Sequence, residues 1–174
     1  MAAAAYMAGE DRQMKIRPAT QADVTQIVKL IGDVWAEYDC VLDTNIEEQY
    51  LLTPAEYFHA KNGEFWVAED NGEIAATCAV QMHDENTAEL KSLYVNKDFR
   101  KHGLGQRLTE MTIDFARSKG ATEIILWSDT LFIAAHRLYE RLGFEKTGQR
   151  KLDDINDTTE FGFRLQFESA SGDY

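Results

Sequence analysis

The stretch Ala88-Glu89-Leu90-Lys91-Ser92-Leu93-Tyr94-Val95-Asn96-Lys97-Asp98-Phe99-Arg100-Lys101-His102-Gly103-Leu104-Gly105 passes from strand composition, through a basic loop with two glycines, into a helix. Thr87 to Val95 has the composition of a strand, and Leu104, Leu108, Met111 and Phe115 then recur at helical spacing up to Gly120. Such a loop suits an anion. Glycines let backbone N–H groups approach phosphate oxygens, and a helix start adds unpaired N–H groups and a favourable dipole. Arg100 and Lys101 add charge. Taken alone, Arg-x-x-Gly-x-Gly is weak, because a tight strand-to-helix turn needs the same residues. It lacks the Gly-Lys-Ser/Thr ending of a Walker loop and the third glycine of a dinucleotide fingerprint.

Working outward, Lys15 to Pro18 is a short strand, and Thr20 with Asp23 starts a helix on which Val24, Ile27, Val28, Ile31, Val34 and Trp35 share a face. Thr53-Pro54 opens a second helix, with Thr53 as its cap and Glu56 at the capping-box position. Glu64 to Glu69 and Glu73 to Met82 are strands joined by Asp70-Asn71-Gly72, a hairpin turn whose residues tolerate positive φ. Ile124 to Trp127 is expected as a buried apolar strand. Ala135, Leu138 and Leu142 mark a helix ended by Gly143, and Phe161, Phe163, Leu165 and Phe167 alternate as one face of a strand. The order predicts an α+β fold with a mixed sheet and helices on both faces. A single domain is expected over residues 14–168, with flexible tails at 1–13 and 169–174.

The net charge of −12, from 30 acids and 18 bases, argues against nucleic acid, whose phosphates demand a positive surface. No apolar run reaches the ~20 residues of a membrane span, so no membrane partner is expected. Cys40 and Cys78 have no metal-ligand spacing and the histidines are isolated, so no metal is expected either. Reduced thiols fit a cytoplasmic protein.

Leu93-Tyr94-Val95 followed by Arg100 to Gly105 resembles the acyl-CoA signature of GNAT acetyltransferases, Arg/Gln-x-x-Gly-x-Gly/Ala. Ala135-His136-Arg137-Leu138-Tyr139-Glu140-Arg141-Leu142-Gly143-Phe144 is similar to the family's second CoA segment, Ala-x-x-Leu-Tyr-x-x-x-Gly-Phe. Two matches in the family's order are far more specific than either alone. The resemblance implies the GNAT fold, a central, mostly antiparallel sheet, and acetyl-CoA as cosubstrate. It implies that Leu93, Tyr94 and Val95 hold the pantetheine arm, with one main-chain N–H polarising the thioester carbonyl. Arg100, Lys101, His102, Gly103, Leu104, Gly105 and Gln106 would cradle the pyrophosphate. Many members carry Asn three residues before the alanine of the second segment; here Phe132 stands there, and Ser128, Asp129 and Thr130 are the nearby polar substitutes. Members are often dimers, which makes a homodimer an expectation.

The implied reaction is attack of a neutral amine on the thioester, which needs a proton acceptor and a donor. Glu89 is the candidate base: strand alternation puts residues 89, 91, 93 and 95 on one face, and it resembles the strand glutamate of some members. Tyr139 is the candidate acid, its phenol being protonated at neutral pH. Asp43, Glu47 and Glu48, in a stretch without Lys or Arg between Asp33 and Ala60, are candidate acceptor-site residues that would attract a cationic amine. A small-molecule N-acetyltransferase, a protein acetyltransferase and a non-catalytic acyl-CoA sensor are the three functions compatible with these residues.

Overall fold

The computed structural model describes residues 14–168, so both expected tails lie outside the described residues. Seven strands form one sheet: β1 (Lys15–Pro18), β2 (Glu64–Asp70), β3 (Glu73–Met82), β4 (Thr87–Val95), β5 (Glu123–Asp129), β6 (Glu145–Lys151) and β7 (Thr159–Gln166). Their spatial order is β1-β2-β3-β4-β5-β7-β6. Every neighbouring pair is antiparallel except β4 and β5. The β2–β3 hairpin turns through Asn71 at φ 49° and Gly72 at φ 84°, as the Asn-Gly pair leads one to expect.

Helix α1 (Val24–Ala36) buries Ile27, Leu30, Ile31 and Val34, and α2 (Pro54–His59) buries Phe58. These side chains join Phe65, Val67 and Ala79 in a core on one face of the sheet. Helix α3 (Leu104–Ser118) and α4 (Ile133–Arg141) cover the other face, where Leu104, Leu108 and Tyr139 meet Cys78, Leu90, Ile124 and Phe163. Each such large apolar side chain contributes about 1.5–3 kcal/mol when fully buried. Asp23 starts the first helix by accepting from the Thr20 N–H at 2.7 Å, and Arg17 grips the same carboxylate at 2.8 Å. That pairing holds the Asp23 carboxyl below its ordinary range.

Three expectations need correction, and one strand went unpredicted. The buried stripe of α3 includes Thr109, Thr112, Ile113 and Ala116, while Met111 and Phe115 are only half-buried. The threonines can be buried because each hydroxyl bonds back four residues, Thr109 to Gly105 O and Thr112 to Leu108 O, both at 2.8 Å. Strand β5 is not buried throughout; Ile124, Leu126 and Ser128 alternate with half-exposed neighbours. Thr53 makes no side-chain cap hydrogen bond on α2; its backbone, at φ −140° and ψ 57°, lies outside the extended region usual for a capping residue. The edge strand β6 is exposed at all seven residues, which is why it carries no apolar alternation.

Candidate active site

Strands β4 and β5 pair only at Thr87, Ala88 and Glu89, opposite Glu123, Ile124 and Ile125. Beyond that the sheet splits, so the β4 edge from Leu90 to Val95 has no β5 partner. A cavity of about 990 Å³ occupies the split. It is lined by the ends of β4 and β5, the start of α3, the inner face of α4, the segment after α1 and the β6–β7 connection.

Strand β4 is also bulged. Thr77 opposes Tyr94, yet Ala79 opposes Lys91, so β4 holds one extra residue here. Ser92 absorbs it at φ 53°, and the buried Thr77 hydroxyl donates to the Ser92 carbonyl at 2.7 Å. This overturns the single face expected for residues 89, 91, 93 and 95. Leu93 and Val95 pack towards the α3 side, whereas Tyr94 packs with the α1 core. Glu89 and Lys91 pair with Gln81 and Ala79, on the α1 side. Glu89 therefore stands across the sheet from Tyr139, where simple alternation had placed it beside Leu93.

Glu89 is 7% exposed and sits at the apex of the split. Its Oε2 accepts from Gln81 Nε2 at 3.0 Å and contacts His83 Nε2. Tyr139 is 4% exposed, between the rings of Phe144 and Phe163. Burial pushes its phenol far above the ordinary value, and it lines the cavity with no hydrogen-bond partner among the described residues.

At the other end, Gly103 enters α3 at φ 75°, and a Cβ added there would meet nothing within 4 Å. The first turn of α3 thus presents its N–H groups at an open surface. Leu104, Gly105 and Gln106 line the cavity, as do Lys101, Leu93, Tyr94 and Val95. His102 does not line it. Arg100 does, but its guanidinium is committed. It makes a bidentate pair with Glu37 at 2.7 and 2.8 Å, and its Nε donates to Val95 O at 3.0 Å. Arg100 thus braces the loop against the end of α1, and the loop's remaining donors towards the cavity are its main-chain N–H groups and the Lys101 ammonium.

The acceptor candidates divide as well. Glu47 and Glu48 line the cavity and Asp43 does not. The Asp43 carboxylate instead accepts from Asn45 N at 2.8 Å. Partial burial, then Asp154, Asp43 and Asp153, raise the Glu47 carboxyl; burial raises that of Glu48. Sequence reasoning missed Asp153 and Asp154, in the β6–β7 connection, and Glu160, at the start of β7, which line the same end. Adjacent aspartates after a strand are an ordinary turn composition, so nothing local marked them. It missed Asn156 too, whose side-chain amide clasps the backbone of Val41 through two bonds of 2.8 Å. Phe132 packs edge-on against Tyr38 at 4.9 Å and Tyr94 at 6.1 Å, bridging the split. The Ser128 hydroxyl is paired with His136 and Asp129 accepts from Leu131 N, so neither is a free substitute for the family's Asn.

A split sheet, a β4 bulge and an α3 start open to an anion, with both CoA segments lining one cavity, belong together: the chain is a member of the acetyltransferase (GNAT) family, whose model matches residues 29–144. Among named relatives, the N-acetylaspartate synthetase of Danio rerio is 33% identical over 114 residues, 64% of this chain and 38% of that protein. The human N-acetyltransferase 8 is 31% identical over 121 residues, 66% of this chain and 52% of that protein. The chain thus spans about half or less of the length of these relatives. The Salmonella typhimurium acetyltransferase yncA, solved with its cofactor acetyl-CoA, superposes with a TM-score of 0.71 at 23% identity, covering 91% of this chain and 96% of that one. At that identity the likeness speaks for the fold alone. Among the described residues no helix is long and apolar enough to cross a membrane, and no group of three or more His, Cys, Asp or Glu could hold a metal ion.

Proposed function

We propose that this chain is an acetyl-CoA-dependent N-acetyltransferase whose acceptor is a primary amine on a small cationic molecule. The observation that carries the proposal is the polarity of the cavity. One end has the open α3 start, Lys101, Arg137 and Arg141; the other has Glu47, Glu48, Asp153, Asp154 and Glu160, with Lys91 and Arg150 as the cations.

The residues at the basic end fit acetyl-CoA. The α3 N–H groups suit its pyrophosphate, and the unpaired β4 edge suits an extended amide arm. When bound, acetyl-CoA supplies the acetyl thioester. A main-chain N–H of the bulged β4 segment donates to the carbonyl oxygen. Glu89, on the α1 face, accepts the proton of the ammonium group. Tyr139, on the α3 face, donates its hydroxyl proton towards the departing sulfur. Base and acid stand on opposite faces of the split, which matches an amine arriving from one side and a thiol leaving on the other.

The acidic end favours a cation over the dicarboxylic amino acid in the name of the first relative, because five carboxylates against two cations repel a net negative charge. The free cysteines, Cys40 and Cys78, fit a reducing compartment, and a cytoplasmic location is part of the proposal.

The test is thiol release with acetyl-CoA against diamines, aspartate and basic peptides. Diamines should turn over, and Glu47→Gln with Glu48→Gln should raise KM for them while leaving acetyl-CoA binding unchanged. Gly103→Glu should abolish acetyl-CoA binding by placing a carboxylate at the anion site. Faster turnover of aspartate, or of peptides alone, would reverse the acceptor assignment.

A further inference from the structure

Acetylation of an alkylammonium yields an amide, free coenzyme A thiol and one proton. That proton has to leave the site in each turnover, because a base that stays protonated cannot serve the next substrate. Glu89 is poorly placed to discharge directly: its side chain is 9% exposed.

We infer that His83 is the proton exit for Glu89, carrying the proton from the cavity to solvent on the far side of the carboxylate. The inference rests on the assignment of Glu89 as base. Four observations support it. His83 Nε2 contacts Glu89 Oε2, the same oxygen that Gln81 holds. Glu89 Oε1 has no hydrogen-bond partner among the described residues, and Glu89 lines the cavity. His83 does not line the cavity, and its side chain is 45% exposed. Its backbone is pinned by His83 N donating to Thr87 O at 2.8 Å, so the ring is held where the strand ends.

The relay follows from those positions. The ammonium proton is taken at Oε1. Rotation of the carboxyl about its soft last torsion brings the proton to the imidazole side. With its own proton on Nδ1, His83 accepts at Nε2; the 45% exposed imidazolium then turns outward and loses the Nε2 proton to water, which restores both the carboxylate and the Nδ1–H tautomer for the next turnover. Gln81 can serve both states. Its Nε2 donates to the ionised carboxylate, and its Oε1, buried without a partner, is an acceptor for the protonated form once the amide turns. The charged groups facing His83 are Glu89 on β4 and Asp84 in the turn.

The experiment uses the amine that the native chain acetylates fastest. His83→Ala should lower kcat on the order of 10²-fold, the lower range of general acid–base help, with both KM values unchanged. Added imidazole should restore kcat in proportion to its concentration, because the ring's place opens to solvent. Glu89→Gln should lose turnover and gain nothing from imidazole. Unchanged kcat in His83→Ala, or a loss that no diffusible base restores, overturns the relay while leaving Glu89 as base. Full turnover in Glu89→Gln overturns the base assignment and the relay with it.

Discussion

Burial fixes the protonation state of Tyr139, the proposed acid. A phenol is neutral in its resting state, so desolvation only holds it more firmly protonated. The Tyr139 phenol is raised by burial first, with Cys78 and Tyr94 adding to it. A raised pKa keeps the donor form present through and above the neutral range; it is lost only at pH far above the ordinary phenol value. Tyr139→Phe is therefore expected to lower kcat about 10- to 100-fold by the same factor from about pH 6 to 9, the two profiles remaining parallel. The check is kcat against pH for both proteins. Convergence of the profiles at the alkaline end would mean that Tyr139 ionises in the working range.

At the scale of elements, the β4 bulge organises the site. It turns Leu93 and Val95 to the α3 side while Glu89 faces the α1 side, which no regular strand can do. It is held by one buried side-chain bond, Thr77 Oγ1 to Ser92 O. A second support is Tyr50, whose hydroxyl lies 3.1 Å from Ser92 Oγ. Thr77→Val keeps the side-chain volume but leaves a carbonyl without its donor. The expected cost is about 1–3 kcal/mol in urea unfolding. Turnover should fall with it, because the N–H groups after Ser92 lose their fixed direction. Stability loss with unchanged kcat would detach the bulge from catalysis.

On the scale of the whole molecule, two long connections close the acidic end of the cavity. Asn156, between β6 and β7, holds Val41 in the segment after α1, and the two lie 115 residues apart in sequence. Opposite them, Arg100 ties the loop before α3 to Glu37 at the end of α1. The segment after α1 is thus joined to both halves of the cavity. Asn156→Ala should raise KM for the amine about tenfold, in line with the loss of two exposed hydrogen bonds and a freed loop, with acetyl-CoA affinity unchanged. Isothermal titration with acetyl-CoA beside steady-state kinetics on the amine separates the two. Equal weakening of both ligands would show that the clasp supports the fold and not the acceptor end.

Local chemistry in the chain was enough for the elements and the family. Helical and strand periodicities, the Asn71-Gly72 turn and the two CoA segments depend on neighbours within a few residues, and they located α1 to α4, six of the seven strands and the loop from Arg100 to Gly105. The partners of those residues were decided by tertiary structure. One inserted residue at Ser92 reverses which face Glu89 shares, and a positive φ at serine leaves no trace in composition. The Glu37 carboxylate that occupies Arg100 lies 63 residues away in sequence, the imidazole beside Glu89 meets it only through strand register, and Asp43 sits outside a cavity that Asp154 enters. Spacing along a chain reports periodicity, whereas a site is assembled from elements whose relative placement is set by packing of the whole sheet.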